Sequence, residues 1–446
     1  MTNVMLPMKR RSFLQLTSVG AAAFALRRAG AAETGTAEAT DDALLGTAQA
    51  RIEQHRKGDG MIVVKGADGK PLPGAQVKLA QVRHDFLFGC NFFMWGRCAD
   101  PQREEQYRRR FADLLNFATL GFYWSNYERE RGRPNYKYTD QVLEWCRQNG
   151  IRCKGHPLVW DWVPDPKWLP QDFDEIRALS NGRVREIASR FKDRIDVWDV
   201  VNEPTHLGRN KTRVAEWAQS LGAVPYVAEH LKIARAANPS ATLLVNDYRT
   251  DLPFYQILDG LREQGKLLFD AVGIQSHMHG GGWPLKRVWE VCDTYARLGV
   301  PIHFTETTIV SGSRLGPGEN WGPTTPELEA KQADYVPKFY TMLFAHPAVQ
   351  ALTWWDFSDH GAWQRAAAGL VRADMTPKPV YGRLLELVKG RWWTNLAGVT
   401  NAQGEFAVRA FYGRHRVEIE GPNGRKRVQE IDWQRGSPNR LEISLS

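Results

Sequence analysis

Short apolar runs rich in β-branched and aromatic residues recur eight times along this chain, at residues 86–93, 117–124, 152–160, 195–203, 242–248, 271–278, 301–307 and 351–357. Between them lie longer stretches of helical spacing. One runs from near Thr139 to Gly150 and another from Pro253 to Gly265, with proline near a start or glycine at an end, where helices tolerate them best. Strands that alternate with helices in this way predict an α/β fold, a (β/α)8 barrel over about residues 85–390. All strands of such a barrel point one way, so the polar residues that end the runs converge on its C-terminal face. Here these residues include His156, Glu203, Asp247, His277 and Glu306.

Two of these strand-end residues carry the chemical argument. The run DVWDVVNEP places Glu203 directly after Asn202, and PIHFTET ends close to Glu306. A pair of carboxylic acids on either side of a scissile bond is what hydrolysis of a glycoside requires. An amide beside one of them adds a neutral group able to hold a sugar hydroxyl while its neighbour moves a proton. A single glutamate at a strand end would instead read as a solvated rim charge.

Composition agrees with a large globular enzyme. With 446 residues, 43% of them hydrophobic, the chain can bury a sizeable core, and no apolar run reaches the roughly 20 residues of a membrane span. The 17 Trp exceed the needs of packing, and tryptophan suits carbohydrate because its flat ring stacks on the apolar face of a pyranose. The net charge of +9 is misleading, because five cationic side chains (Lys9, Arg10, Arg11, Arg27 and Arg28) fall in the first 32 residues. What remains is an ordinary solvated surface with no basic stripe interleaved with aromatics, so no nucleic-acid partner is expected.

The ends of the chain read differently from its middle. Lys9-Arg10-Arg11-Ser12-Phe13-Leu14-Gln15 resembles a twin-arginine signal, followed by an Ala-rich stretch and small residues around Ala29–Ala32. The expectation is a signal peptide over 1–32, export to the periplasm or outside the cell, and a linker and lead-in over 33–59. Residues 60–84 read as a small β element, two strands around the turn Ala67–Pro71. The tail over 391–446 reads as a second one with turns at Gln403-Gly404 and Asn423-Gly424, the two pieces packing as one module. Trp392, Trp393 and Tyr412 are the only obvious aromatics there for a sugar platform, so a packing or capping role is favoured over carbohydrate binding. Five cysteines include no CxxC; Cys90 with Cys98, and Cys146 with Cys153, are close enough in sequence to pair under oxidising conditions.

Several motifs occur in one order: KGHPLVW with His156 and Trp160, WDVVNEP, VNDY with Asn246 and Tyr248, IQSHM with Gln275 and His277, FTET with Glu306, and TWWDFSDHGAW with Trp355 and Trp363. Together they resemble family 10 of the glycoside hydrolases, chiefly endo-β-1,4-xylanases. The resemblance implies a retaining mechanism on a β-1,4-linked xylan backbone, with no metal or organic cofactor. A monomer is expected. It implies Glu203 as acid/base, Glu306 as nucleophile and Asn202 as the contact to the sugar 2-OH. His156, Gln275 and His277 would form the polar wall, with Trp160, Tyr248, Trp355 and Trp363 completing the binding surface.

The chain also departs from the family pattern. Where the family has an acidic residue, an asparagine and a lysine before a tryptophan after the second strand, this chain has Thr119-Leu120-Gly121-Phe122-Tyr123-Trp124. Thr307-Thr308 replaces the usual Leu-Asp after Glu306. Three other readings stay open on the residues alone. One is another retaining β-glycanase or a transglycosylase, and a second is a non-catalytic glycan-binding barrel. The third is a metal-dependent hydrolase using His156, His277, His279 and His303.

Overall fold

Each of the eight apolar runs forms a parallel strand. In the computed structural model, which describes residues 30–316 and 321–445, strands β1 (Lys57–Gly66) and β2 (Gln76–His84) precede the barrel. The barrel consists of β3 (Leu87–Asn91), β4 (Phe117–Gly121), β5 (Arg152–His156), β6 (Val197–Asn202), β7 (Thr242–Asp247), β8 (Ala271–Ile274), β9 (Ile302–Ile309) and β10 (Val349–Trp354). Every strand pairs in parallel with the next, and β10 pairs with β3, so the sheet closes on itself and leaves no edge.

The barrel interior changes character along its axis. Leu87, Phe117, Val197, Leu244, Ala271 and Ala351 pack together near the starts of six strands as an apolar floor. Two residues further along the same faces of β6 and β7, by the period of the pleat, stand Asp199 and Asn246. Both are buried, as are Lys154 and His303. Gly155 on β5 is a packing requirement: a Cβ there would lie 2.0 Å from the ring of Trp198. Outer helices start on capping side chains, with Asp100, Asp172, Thr212 and Thr325 each accepting a backbone N–H of the first turn.

The segment expected as a linker over 33–59 is instead mostly helix, Gly30–Arg56. Leu44, Ala48 and Ile52 fall at helical spacing, and the latter two are buried in the main core. This helix packs against the helices Leu285–Ala296 and Pro326–Ala345. At its end the buried Arg56 donates to the carbonyls of Phe344 (2.6 Å), His346 (2.6 Å) and Val349 (2.8 Å), which ties this helix to the chain entering β10 at the N-terminal end of the barrel. The twin-arginine motif lies outside the described residues. Among the described residues no helix is long and apolar enough to cross a membrane.

The two flanking β pieces pair with each other. The tail supplies β11 (Asn395–Val399), β12 (Glu405–Phe411), β13 (Gly413–Glu420), β14 (Lys426–Trp433) and β15 (Arg440–Leu445). Strand β1 lies between β12 and β15, and β2 between β11 and β13, giving two sheets over a core that includes Ile62, Val64, Val77, Leu79, Val417 and Trp433. Gly404 and Gly424, at φ 70° and 77°, make the turns the sequence marks. Trp392 is no part of a sugar platform, because its ring is buried against Phe344 and Phe88 of the barrel. All five cysteines are free thiols, including both pairs whose spacing allowed a bridge.

Candidate active site

Strand β6 ends at Asn202, and Glu203 then takes a left-handed backbone conformation, φ 58° and ψ 46°, before a short 3-10 turn at Pro204–His206. A non-glycine residue in that region costs on the order of 1 kcal/mol. The bond from Glu203 N–H to the carbonyl of Asn246 (2.7 Å) helps hold it. The turn lifts the carboxyl off the strand, where Oε1 accepts from Gln275 Nε2 (3.2 Å) and Oε2 from Arg209 Nη2 (2.9 Å). Burial pushes the Glu203 carboxyl up to about 7; Gln275 and Arg209 oppose the rise and the charge of Glu306 adds to it.

Glu306 lies within β9 and faces the same space. Its Oε1 accepts from Asn246 Nδ2 (2.7 Å), its Oε2 lies 3.2 Å from His277 Nε2, and His156 Nδ1 is 3.9 Å from Oε1. Burial alone would raise its proton affinity. His156, His277 and the buried Lys154 outweigh that and hold the carboxyl below its ordinary range. Two glutamates in one site are thereby pushed apart, one toward the acid form and one toward the ion.

A row of amides joins the two carboxyls. Gln275 Nε2 reaches both Glu203 Oε1 and Asn202 Oδ1, each at 3.2 Å, and Asn246 Nδ2 reaches both Asn202 Oδ1 and Glu306 Oε1, each at 2.7 Å. Thr305 Oγ1 donates to Asn246 Oδ1 (2.6 Å), which fixes which way that amide points. Gly273 leaves room for it, since a Cβ there would lie 2.4 Å from Asn246 Oδ1. Beneath Glu306, Asp199 pairs with Lys154 Nζ (2.6 Å) and accepts from His156 Nδ1 (2.8 Å), with all three side chains buried. Although burial favours protonation of Asp199, Lys154 and His156 keep it ionised, which sets His156 as an Nδ1–H donor.

A cavity of about 890 Å³ opens over this floor. Glu203, Glu306, His156, Trp160, Tyr248, Gln275, His277, Trp355 and Trp363 all line it. Trp363 packs on His277 with ring centres 4.5 Å apart and planes tilted by 36°, and Trp355 stands edge-on to both His156 and His277. Trp160 pairs with Trp162, and Arg209 lies over the Trp162 ring at 4.9 Å. Tyr248 hydrogen-bonds through its hydroxyl with His206. Asn202 is the one expected site residue that is not a wall of the cavity: it is buried, and its Nδ2 has no partner among the described residues.

The model of glycosyl hydrolase family 10 matches residues 88–387. The chain belongs to glycosyl hydrolase family 10. It is 28% identical over 402 residues to anti-sigma-I factor RsgI6 of Acetivibrio thermocellus, a match that covers 87% of this chain and 48% of that protein. It is 26% identical to endo-1,4-beta-xylanase B of Thermotoga neapolitana, covering 73% and 93% of the two chains. The chain thus spans about half of the first relative and nearly all of the second. Among solved structures, a family 10 protein from Paenibacillus barcinonensis superposes with a TM-score of 0.59 at 22% identity, covering 68% of this chain and 95% of that one. Xylanase 10B from Thermotoga petrophila RKU-1 in complex with xylobiose gives 0.57 at 24%, covering 68% and 95%. These two superpositions establish the shared barrel fold.

Against that family 10 background the departures acquire positions. Of the three aromatics after β4, only Tyr123 lines the cavity that holds both glutamates, where its ring lies 6.0 Å from His156 and 6.2 Å from Trp160. Phe122 is turned into the core against Phe191 and Trp198, and Trp124 donates its indole N–H to Glu128 (2.7 Å) away from the cleft. Thr308 meets His277 as a neutral hydroxyl at 2.9 Å from Nδ1.

Four further residues belong to the site. Asp199 is visible in the sequence as a charge inside an otherwise apolar strand, Lys154 as a cation within KGHPLVW, and Asn246 as the amide of VNDY. Arg209 carries no local signal, because it sits in an ordinary polar loop. His156 and His277 both face Glu306, but Nδ1 of His156 is engaged by Asp199 and Nδ1 of His277 by Thr308, while His303 is buried with Lys154 as a neighbouring charge. Among the described residues no group of three or more His, Cys, Asp or Glu side chains is arranged to hold a metal ion.

Proposed function

We propose that this chain is a retaining, endo-acting glycoside hydrolase that cleaves β-1,4-xylan or a related decorated polysaccharide through a covalent glycosyl-enzyme intermediate. The observation that carries the reading is the pair Glu203 and Glu306. They share one aromatic-walled cavity, they are bridged by amides, and their proton affinities are displaced in opposite directions. Glu306, as the ion, attacks the anomeric carbon while Glu203 gives its proton to the departing glycosidic oxygen. Bonding to the sugar removes the charge of Glu306, and Glu203, now ionised, takes a proton from the water that releases the sugar with its original configuration. Asn202 lies behind the cavity wall, where its Oδ1 holds the Gln275 and Asn246 amides; its unpartnered Nδ2 supports a contact to the 2-OH of the reacting sugar only if a bound sugar reaches past that wall. His156 and His277 steady the nucleophile, and Trp355 and Trp363 supply apolar ring faces.

Export through the twin-arginine pathway fits a polysaccharide substrate too large to enter a cell, and changing Arg10 and Arg11 to Lys should strand the protein inside. The deciding experiment for the activity is incubation of the purified protein with xylans, mixed-linkage glucans and cellulose, with identification of the reducing ends and the anomer first released. New β-configured reducing ends from xylan support the reading. Sugar-to-sugar transfer without net hydrolysis would favour a transglycosylase. Binding without turnover would favour a glycan-binding barrel.

A further inference from the structure

A second cavity, of about 770 Å³, opens beside the catalytic one where the loops after β3 and β4 meet. Phe93, Tyr123 and Asn126 belong to the walls of both. Its lining carries four cationic side chains, Arg97, Arg129, Arg133 and Lys137, against one carboxylate, Glu130. Glu130 is already engaged by Arg133 at 3.0 Å. Neighbouring acids are also committed elsewhere: Glu128 accepts from Trp124 and the Gly132 N–H, Glu175 pairs with Arg131, and Glu104 with Arg108. Arg97, Arg129 and Lys137 therefore have no carboxylate partner among the described residues, and the face of Tyr138, 5.5 Å from the Arg97 guanidinium, holds that cation at the rim.

Three unpaired cations on one concave surface repel one another and concentrate positive potential where a bound anion would relieve it. We propose that this cavity is a side-branch subsite that receives the carboxylate of a uronic acid carried by the polysaccharide in the catalytic cleft. The inference rests on the glycoside hydrolase reading and names its substrate more closely. Continuity selects the ligand: a glycan lying in the first cavity presents its substituents across the shared wall of Phe93 and Tyr123. A branch sugar can lie against those rings while its carboxylate meets the cations beyond. A free inorganic anion would need no aromatic wall and no opening into the catalytic space.

The test compares three substrates: uronic-acid-branched xylo-oligosaccharides, the same compounds with the carboxyl reduced to an alcohol, and unbranched xylo-oligosaccharides. The wild-type protein should show kcat/KM roughly tenfold higher on the acid than on its reduced form, mostly through KM. Added salt should shrink the difference. The triple variant Arg97→Gln/Arg129→Gln/Lys137→Gln should lose this advantage and keep its rate on the unbranched substrate. The single exposed variant Arg129→Glu, whose folding is not at issue, should push the preference toward the reduced compound. Equal efficiency on acid and reduced substrates, or an equal loss on all three in the variants, would overturn the subsite while leaving the hydrolase reading intact. Failure of the wild-type protein on all three would overturn both.

Discussion

Arg209 donates Nη2 to Oε2 of Glu203 at 2.9 Å, so the carboxyl proposed to give the proton bears a cation on one oxygen and the Gln275 amide on the other. Two donors on one carboxyl favour its ionised form, whereas burial favours the acid and prevails, at about 7. The Arg209 side chain is 39% exposed, so solvent reaches the pair and weakens it. Because Arg209 lowers the proton affinity of Glu203, Arg209→Met should raise it. The alkaline limb of the kcat/KM profile should then move up by roughly half a unit, a modest shift because solvent screens the pair. A limb that stays in place would mean that Arg209 does not lower the proton affinity of Glu203 in the free enzyme.

The wild-type profile should itself be a bell. Activity falls above about pH 7 as Glu203 loses the proton it must donate, and at acid pH, below the ordinary carboxylate range, as Glu306 is neutralised. Glu203→Gln and Glu306→Gln should each remove at least about a hundredfold of the rate. Azide with an activated aryl glycoside separates the roles: Glu203→Ala should give the β-glycosyl azide and Glu306→Ala the α-anomer. The same anomer from both variants would contradict the assignment.

Gly273→Ala should damage catalysis more than folding. The new Cβ would lie 2.4 Å from Asn246 Oδ1, and displacing that amide removes a hydrogen bond from Glu306 and loosens Asn202. A misplacement of this kind costs on the order of 10- to 100-fold in kcat. Parallel measurement of kcat and of the thermal midpoint would test it. A large fall in the midpoint with an unchanged kcat would show that Asn246 is scaffold only.

The aromatic residues after β4 should separate by function. Tyr123→Ala should lower kcat/KM on xylotetraose about fivefold, the equivalent of one good ring contact. Phe122→Leu, in the core against Phe191 and Trp198, should cost about 1 kcal/mol of stability and leave KM unchanged. Undiminished cleavage by Tyr123→Ala would remove it from the substrate surface.

Arg56→Met should destabilise the protein by about 3 kcal/mol in denaturant unfolding, because three buried carbonyls lose a charged donor at once. Activity per folded molecule should not change, since Arg56 lies at the opposite end of the barrel from the glutamates.

The barrel and its two glutamates were legible in the sequence, because strand periodicity is local and a parallel barrel delivers every strand end to one face. Glu203 and Glu306 therefore meet without any long-range contact having to be inferred, and so do His156, Gln275, His277, Trp355 and Trp363. What tertiary structure alone decided is partnership. The apolar Leu44, Ala48 and Ile52 in a Thr/Ala/Glu-rich stretch become a packed helix only when the helices at 285–296 and 326–345 offer a surface. Strands β1 and β2 find their sheet neighbours some 350 residues away along the chain, at Glu405–Phe411 and Gly413–Glu420. Phe122 and Trp124 turn away from the cleft while Tyr123 between them faces it, because the chain leaves the regular strand at Gly121. Arg209 reaches Glu203 by the course of a loop, and loop courses follow from the packing around them rather than from periodicity.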